Sequence, residues 1–146
     1  MRRLAVPAPV FLCVSLCLSG LLAAPAQAQS TGLEIELNKF EQADSGACRA
    51  FFLFRNRTGA SFDAFEMALA VFDGGGVIDR LLTIDAAPIP VARTTLKLFE
   101  IPETDCAAIS EILLHDIAAC SIPNQPGADC FGLISLGSRT TAPLVQ

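Results

Sequence analysis

The chain has 146 residues, a formal net charge of −5 at pH 7, and neither tryptophan nor tyrosine. Fifteen acidic residues outnumber ten basic ones, so the protein should repel nucleic acid and anionic lipid headgroups, and we expect neither as a partner. The length suits one folded domain rather than two.

The N-terminal segment has the features of a secretory signal peptide. Two arginines follow the initiator methionine, residues 10–22 are mostly apolar, and residues 26–28 read Ala-Gln-Ala, which a signal peptidase accepts. We predict that residues 1–28 are removed and that residues 29–146 form a single domain. The apolar run is shorter than the roughly 20 residues that a spanning helix needs, so we expect no membrane span after cleavage. The arginine pair fits twin-arginine export, but the general secretory route fits as well.

Cysteine usage agrees with a periplasmic or secreted location. After signal cleavage four cysteines remain: Cys48, Cys106, Cys120 and Cys130. An even number in an oxidising compartment favours two structural disulfides. No C-x-x-C pair indicates a redox site, and no close pair of thiols indicates a metal site.

Period-two alternation of apolar and polar residues along the mature chain predicts short β-strands. The expected strands are Leu33–Phe40, Cys48–Asn56, Ala64–Asp73, Val77–Ile84, Thr94–Ile101, Ile109–Ile117 and Phe131–Leu136. The apolar residues of 109–117 also fit helical spacing; we prefer a strand there, preceded by one helical turn near 105–108. Residues 73–76, Asp-Gly-Gly-Gly, predict a tight hairpin turn. The residues after 136 are expected to trail off.

Seven short strands without a convincing long helix predict an all-β protein, a small antiparallel β-sandwich of the immunoglobulin-like type. If the strands alternate in direction, Cys48 and Cys106 lie at one end of the sandwich, and Cys120 and Cys130 lie at the other. A disulfide needs Cα atoms within about 7 Å. We therefore predict the bridges Cys48–Cys106 and Cys120–Cys130.

Residues that could perform catalysis are scarce. His115 is the only histidine, and it is followed by Asp116, but neighbours on a strand point to opposite faces and would not form a base and its orienter. Glu34 and Glu36 share one face of the first predicted strand, where a solvated surface that discourages edge pairing explains them better than glycoside hydrolysis or calcium binding. We predict that the protein is not an enzyme and needs no cofactor or metal.

The second predicted strand supplies the candidate partner-binding residues. Arg49, Phe51 and Arg55 share one face of this strand, and Arg57 follows it. Arginine interleaved with phenylalanine is typical of protein interfaces, although arginine stems also cover apolar surface without binding anything. We expect another envelope protein as the partner, bound by strand addition or by ordinary packing. The alternative is an inhibitor of a secreted hydrolase that inserts the loop at residues 121–129.

The two central strands resemble a known family. The series Ala50-x-Phe52-x-Phe54-x-Asn56-x-Thr58 and Met67-x-Leu69-x-Val71-Phe72-Asp73, followed by Gly75, Gly76, Val77 and Ile78, resembles FxLYD-type domains. Those are small immunoglobulin-like sandwiches of bacterial envelope proteins, and the resemblance covers residues 33–117. It implies the same fold and location. The four cysteines and the tail beyond Cys120 depart from the family pattern. The whole chain is also similar to uncharacterised α-proteobacterial exported proteins with twin-arginine-like signals.

Overall fold

The computed structural model describes residues 31–146, so the predicted signal peptide and its cleavage site lie outside the described residues. These residues form two four-stranded β-sheets that pack as a sandwich. The strands are β1 (Leu33–Gln42), β2 (Cys48–Asn56), β3 (Ala64–Phe72), β4 (Ile78–Asp85), β5 (Thr94–Ile101), β6 (Glu111–Ser121), β7 (Ile134–Ser138) and β8 (Leu144–Val145). The predicted all-β fold is therefore confirmed, with eight strands where about seven were expected.

The first sheet has the strand order β5-β2-β1-β7, and the second has the order β4-β3-β6-β8. Most neighbouring strands are antiparallel, but β7 runs parallel to β1 and β8 runs parallel to β6. The sequence pattern did not predict these two parallel pairings. The prediction that the last residues trail off was wrong, because Leu144 and Val145 lie opposite Ile112 and Leu113 of β6.

The core lies between the two sheets and follows the alternation of β2 and β3. Ala50, Phe52 and Phe54 of β2 point inward and are almost fully buried. The facing strand β3 contributes Phe65, whose ring packs edge-to-face against Phe62 at 5.3 Å between centroids. Burial of each large apolar side chain stabilises the fold by roughly 1.5–3 kcal/mol, so these two strands form the centre of the domain.

The segment with ambiguous periodicity is a strand, as preferred. Strand β6 pairs with β3 on one side and with β8 on the other. The helical turn expected before it is a 3₁₀ turn at Cys106–Ala108, which Asp105 caps by accepting a hydrogen bond from the Ala107 amide at 2.9 Å. Residues 131–133, expected as strand, form a second 3₁₀ turn, and β7 begins after it.

Two disulfides, Cys48–Cys106 and Cys120–Cys130, confirm both predicted pairings. Their Cα–Cα distances are 5.0 and 6.5 Å. Cys48 begins β2 opposite Ile101, the last residue of β5, so the chain returns Cys106 to the same end of the sandwich. Strand direction was therefore sufficient to predict the connectivity.

The glycine-rich turn between β3 and β4 is the predicted tight hairpin. The Asp73 carboxylate accepts hydrogen bonds from the amides of Gly75 and Val77 at 2.9 and 3.0 Å. Gly76 has a φ of 74°, a left-handed conformation that favours glycine. The side chain of Asp73 thus organises the turn and is occupied by the backbone.

Within residues 31–146, no helix is long and apolar enough to span a membrane.

Candidate functional site

The outer face of the first sheet carries three of the four predicted partner-binding residues. Side chains of β2 alternate in burial, so Arg49, Phe51 and Arg55 point outward together with Leu53. Arg57 lies just beyond the end of β2 and is exposed. The structure therefore places Arg49, Phe51 and Arg55 on one surface and Arg57 at its border.

Strand β5 extends the apolar part of this surface. Leu98 lies opposite Phe51, and Leu96 lies opposite Leu53. The exposed fractions of Leu96 and Leu98 are 58% and 46%, which is unusually high for leucine. We call Phe51, Leu53, Leu96 and Leu98 the apolar patch. The two leucines were not predicted as part of this surface, although the alternation of Thr94–Ile101 placed them on one face.

One end of the apolar patch is bordered by ion pairs. Arg49 donates from Nε to Glu100 at 3.1 Å and from Nη1 to Glu41 at 3.4 Å. Lys39 approaches Glu41 at 2.8 Å, and its Nζ lies 4.4 Å from the centre of the Phe51 ring, a cation–π contact. The hydrogen bond from Lys39 lowers the pKa of Glu41, with a smaller contribution from Arg49. These charges are exposed, so they form a solvated border.

The other end of the apolar patch is bordered by a partly buried cluster of charged side chains around Glu36. Arg55 Nη1 donates to Glu34 at 2.7 Å and to Glu36 at 3.2 Å. Glu36 also accepts from Asn38 Nδ2 at 2.9 Å and from Arg139 Nε at 3.4 Å. Together these donors, the amide of Asn38 first, lower the pKa of Glu36 against the opposing effect of burial.

This cluster corrects the prediction for the first strand. Glu36 was expected on a solvated face that discourages edge pairing, but it is only 6% exposed and β1 lies in the interior of its sheet. Of the arginines predicted as partner-binding residues, only Arg55 contacts the Glu36 carboxylate, and it does so together with Arg139, which was not predicted. The sequence places Glu34 and Glu36 on one face of β1 and Arg55 on one face of β2. Only the register of the two strands, which puts Glu34 opposite Arg55, shows that these charged side chains meet.

Strands β5 and β4 are edge strands, one in each sheet, and each carries a cationic side chain that points inward. Lys97 of β5 donates from Nζ to the carbonyl of Ala87 at 2.9 Å. Arg80 of β4 lies opposite the buried Val71 and donates to the carbonyl of Pro102. Inward-pointing charges on edge strands protect a sheet against pairing with another chain. The edges of β5 and β4 are therefore poorly suited to strand addition.

The candidate catalytic residues do not assemble a site. His115 and Asp116 are both exposed on β6, where a register irregularity interrupts the pairing with β3. No group of three or more histidine, cysteine, aspartate or glutamate side chains in residues 31–146 is arranged to hold a metal ion. All four cysteines of this range are in disulfides.

Comparison with known proteins adds a likeness in fold. No protein-family model matches the chain, and no curated protein sequence matches it. Among solved structures, the chain is similar to the one titled as the structural characterization of IrmA from Escherichia coli, with a TM-score of 0.54 and 11% sequence identity. The match covers 72% of this chain and 90% of that chain. At this identity the likeness concerns the fold alone.

Proposed function

We propose that the protein is an exported, non-catalytic β-sandwich module of the bacterial envelope that binds another protein through the outer face of its first sheet. The main observation that supports this proposal is the apolar patch, in which the exposed Leu96 and Leu98 of β5 lie beside Leu53 and Phe51 of β2. Two disulfides fit an oxidising location outside the cytoplasm. The resemblance to FxLYD-type envelope domains supports the same location.

The patch has the layout of a small protein interface. An aromatic ring and three leucines occupy its centre, and charged side chains border it at both ends. Apolar centres surrounded by polar rims are typical of protein–protein contacts, and a few central side chains usually supply most of the affinity. The partner should therefore present an apolar surface to Phe51 and Leu98.

The mode of binding is face packing rather than strand addition. Lys97 and Arg80 point inward from the edge strands β5 and β4. Their charges oppose the pairing of either edge with a strand of another chain. The apolar patch lies on the face of the sheet, where a partner can cover it without entering the hydrogen-bond ladder.

A second candidate function is inhibition of a secreted or periplasmic hydrolase. The Cys120–Cys130 disulfide closes a loop in which residues 123–127 are all exposed. A constrained, exposed loop can enter a cleft with little loss of conformational entropy. This candidate predicts that the loop, rather than the apolar patch, contacts the partner.

Photocrosslinking in intact cells tests both functions. A photoreactive residue at Leu96 samples the apolar patch, and the same residue at Leu81 is a matched control. Leu81 is also an exposed leucine on an edge strand, but it lies on the second sheet. A third site at Pro123 samples the disulfide-closed loop. Adducts would be identified by mass spectrometry.

The proposal predicts a discrete protein adduct from Leu96 and none from Leu81. An adduct from Pro123 with a hydrolase, together with loss of that enzyme's activity on mixing, would instead support inhibition. Adducts from none of the three sites would contradict both candidate functions. Protein sequencing of the secreted or periplasmic form should begin at Gln29 if the predicted export is right.

A further inference from the structure

A cleft opens beyond the end of β2, next to the apolar patch. Its volume is about 510 Å³, and three arginines line it: Arg55, Arg57 and Arg93. Thr31 and Thr94 add hydroxyl groups to the same walls. We call this feature the arginine cleft.

The arginine cleft is a basic region on an acidic domain. Residues 31–146 contain eight basic side chains against fifteen acidic ones. Three of the eight line the cleft, and a fourth, Arg139, binds the same Glu36 as Arg55. Two carboxylates, Glu34 and Glu36, are paired with these arginines, so the group keeps an excess positive charge. Because the rest of the domain is acidic, an anion should be attracted to this cleft more strongly than to other parts of the surface.

The cleft also has hydrogen-bond donors to spare. Arg93 is exposed and makes no ion pair within residues 31–146. Arg57 makes one long contact, 3.6 Å from its Nη1 to Glu34. Arg55 is held by Glu34 and Glu36 through Nη1 alone, which orients the guanidinium and leaves its other donors uncommitted. Guanidinium groups bind planar oxyanions through two parallel hydrogen bonds.

We propose that the arginine cleft binds a carboxylate of the partner protein. This inference rests on the proposed function and specifies the partner's chemistry. Arg55 shares the outer face with Leu53, and Thr94 lies opposite Arg55 at the start of β5. A ligand that reaches the cleft from the apolar patch must therefore carry apolar groups and an acidic group side by side. An aspartate, a glutamate or a C-terminal carboxylate next to apolar residues has this chemistry.

Titration of the isolated mature protein with succinate, followed by backbone amide NMR shifts at low salt, tests the site. The test variant is Arg57→Gln/Arg93→Gln, because neither arginine supports the fold through a short ion pair. The matched control is Arg49→Gln, which removes an arginine from the opposite end of the same face. We expect saturating shifts at Thr94 and its neighbours, with succinate affinity at least about tenfold weaker in the test variant and unchanged in the control.

Three results would overturn the inference. The first is the absence of saturating shifts, and the second is equal weakening by Arg49→Gln. The third is tighter binding of inorganic phosphate or sulfate than of succinate, since this would assign the cleft to a phosphate or sulfate ester.

The in-cell experiment separates failure of this inference from failure of the proposed function. If the Leu96 adduct persists undiminished in the Arg57→Gln/Arg93→Gln background, the partner binds without the arginine cleft, and only the inference fails. If the adduct is lost in that background and kept with Arg80→Gln, which removes an arginine from the second sheet, the inference is supported. If the unmodified protein gives no adduct from Leu96, the proposed function fails first.

Discussion

Arg55 and Glu36 form an ion pair of 3.2 Å on the outer face of the first sheet, with the Glu36 side chain only 8% exposed. Asn38 and Arg139 also donate to the Glu36 carboxylate. These donors come from β1, β2 and the segment after β7, so one carboxylate connects three neighbouring strands. The ion pair is therefore part of the support for the face that we propose as an interface.

We expect Glu36→Gln to lose about 2 kcal/mol of unfolding free energy at pH 7, because hydrogen bonds to charged groups contribute roughly 1.5–3 kcal/mol. The pKa of Glu36 is lowered in the folded state, so its stabilising contribution is complete above the unfolded value of about 4.3 and is lost as pH falls through the folded pKa. The difference from wild type should therefore shrink on acidification. Urea unfolding at pH 7 and in steps below pH 4.3 measures this.

The control for this prediction is Glu66→Gln. Glu66 is half-buried on the second sheet and makes no ion pair within residues 31–146. Its substitution should change stability by no more than about 0.5 kcal/mol. If the loss in Glu36→Gln stayed constant with pH, ionisation of Glu36 would not be its cause.

The two disulfides should differ in how much they stabilise the domain. Cys48–Cys106 spans 58 residues and Cys120–Cys130 spans 10. Loop-closure entropy assigns about 4 kcal/mol to the longer loop and about 3 kcal/mol to the shorter one. We expect Cys48→Ala/Cys106→Ala to unfold at lower urea concentration than Cys120→Ala/Cys130→Ala. The reverse order would show that packing around the cysteines outweighs chain entropy.

The central strands were predictable because their signals are local, and the disulfides were predictable because strand direction sorts the cysteines to the two ends of the sandwich. Phe52 and Phe54 alternate with half-buried residues, and the turn at 73–76 fixes where β3 ends and β4 begins. Once strand directions are known, only two cysteine pairings bring Cα atoms from the same end together. The central strands thus followed from period-two patterning and turn chemistry, and the disulfide connectivity followed from strand direction.

The apolar patch and the arginine cleft were less predictable because both depend on register between strands. Leu96 joins the surface only because it lies opposite Leu53, and Glu36 is buried because Arg55 and Arg139 cover it. Arg93 reaches the cleft from a loop whose sequence carries no periodic signal. Strand β8 has two residues, too few for any alternation to be recognised.

Asn56 is a buried amide whose hydrogen bonds all stay within the fold. Its Nδ2 donates to the carbonyls of Ala60, Ile89 and Pro90 at 2.8, 3.3 and 3.2 Å, and its Oδ1 accepts from Thr58. Asn56→Asp keeps the shape but places a carboxylate against three carbonyl oxygens. We expect a loss of about 3 kcal/mol at pH 7 by urea unfolding.

The loss in Asn56→Asp should diminish at acidic pH, because burial among acceptors favours the neutral carboxyl group. The control is Asn124→Asp in the exposed loop between Cys120 and Cys130. That substitution should leave stability nearly unchanged at either pH. Equal losses in the two variants would mean that the buried hydrogen bonds of Asn56 contribute nothing.

Lys97 should keep the protein from associating through the edge of β5. Its side chain points inward from the edge strand and donates to Ala87 at 2.9 Å. Lys97→Met preserves the length of the side chain but removes the charge that opposes pairing with another strand. We therefore expect Lys97→Met to form oligomers or aggregates at concentrations where the wild type is monodisperse by light scattering. Its unfolding free energy should change by less than about 1 kcal/mol.

Lys39→Met is the matched control, since it removes the same charge from a side chain that lies over Phe51 on the outer face of the sheet and does not point inward from an edge strand. Loss of the contact between Lys39 and Phe51 leaves the edge strands unchanged, so this variant should scatter light as the wild type does. If both variants associate equally, the cause is general loss of charge. If neither associates, Lys97 does not protect the edge, and binding by strand addition at β5 becomes compatible with the structure again.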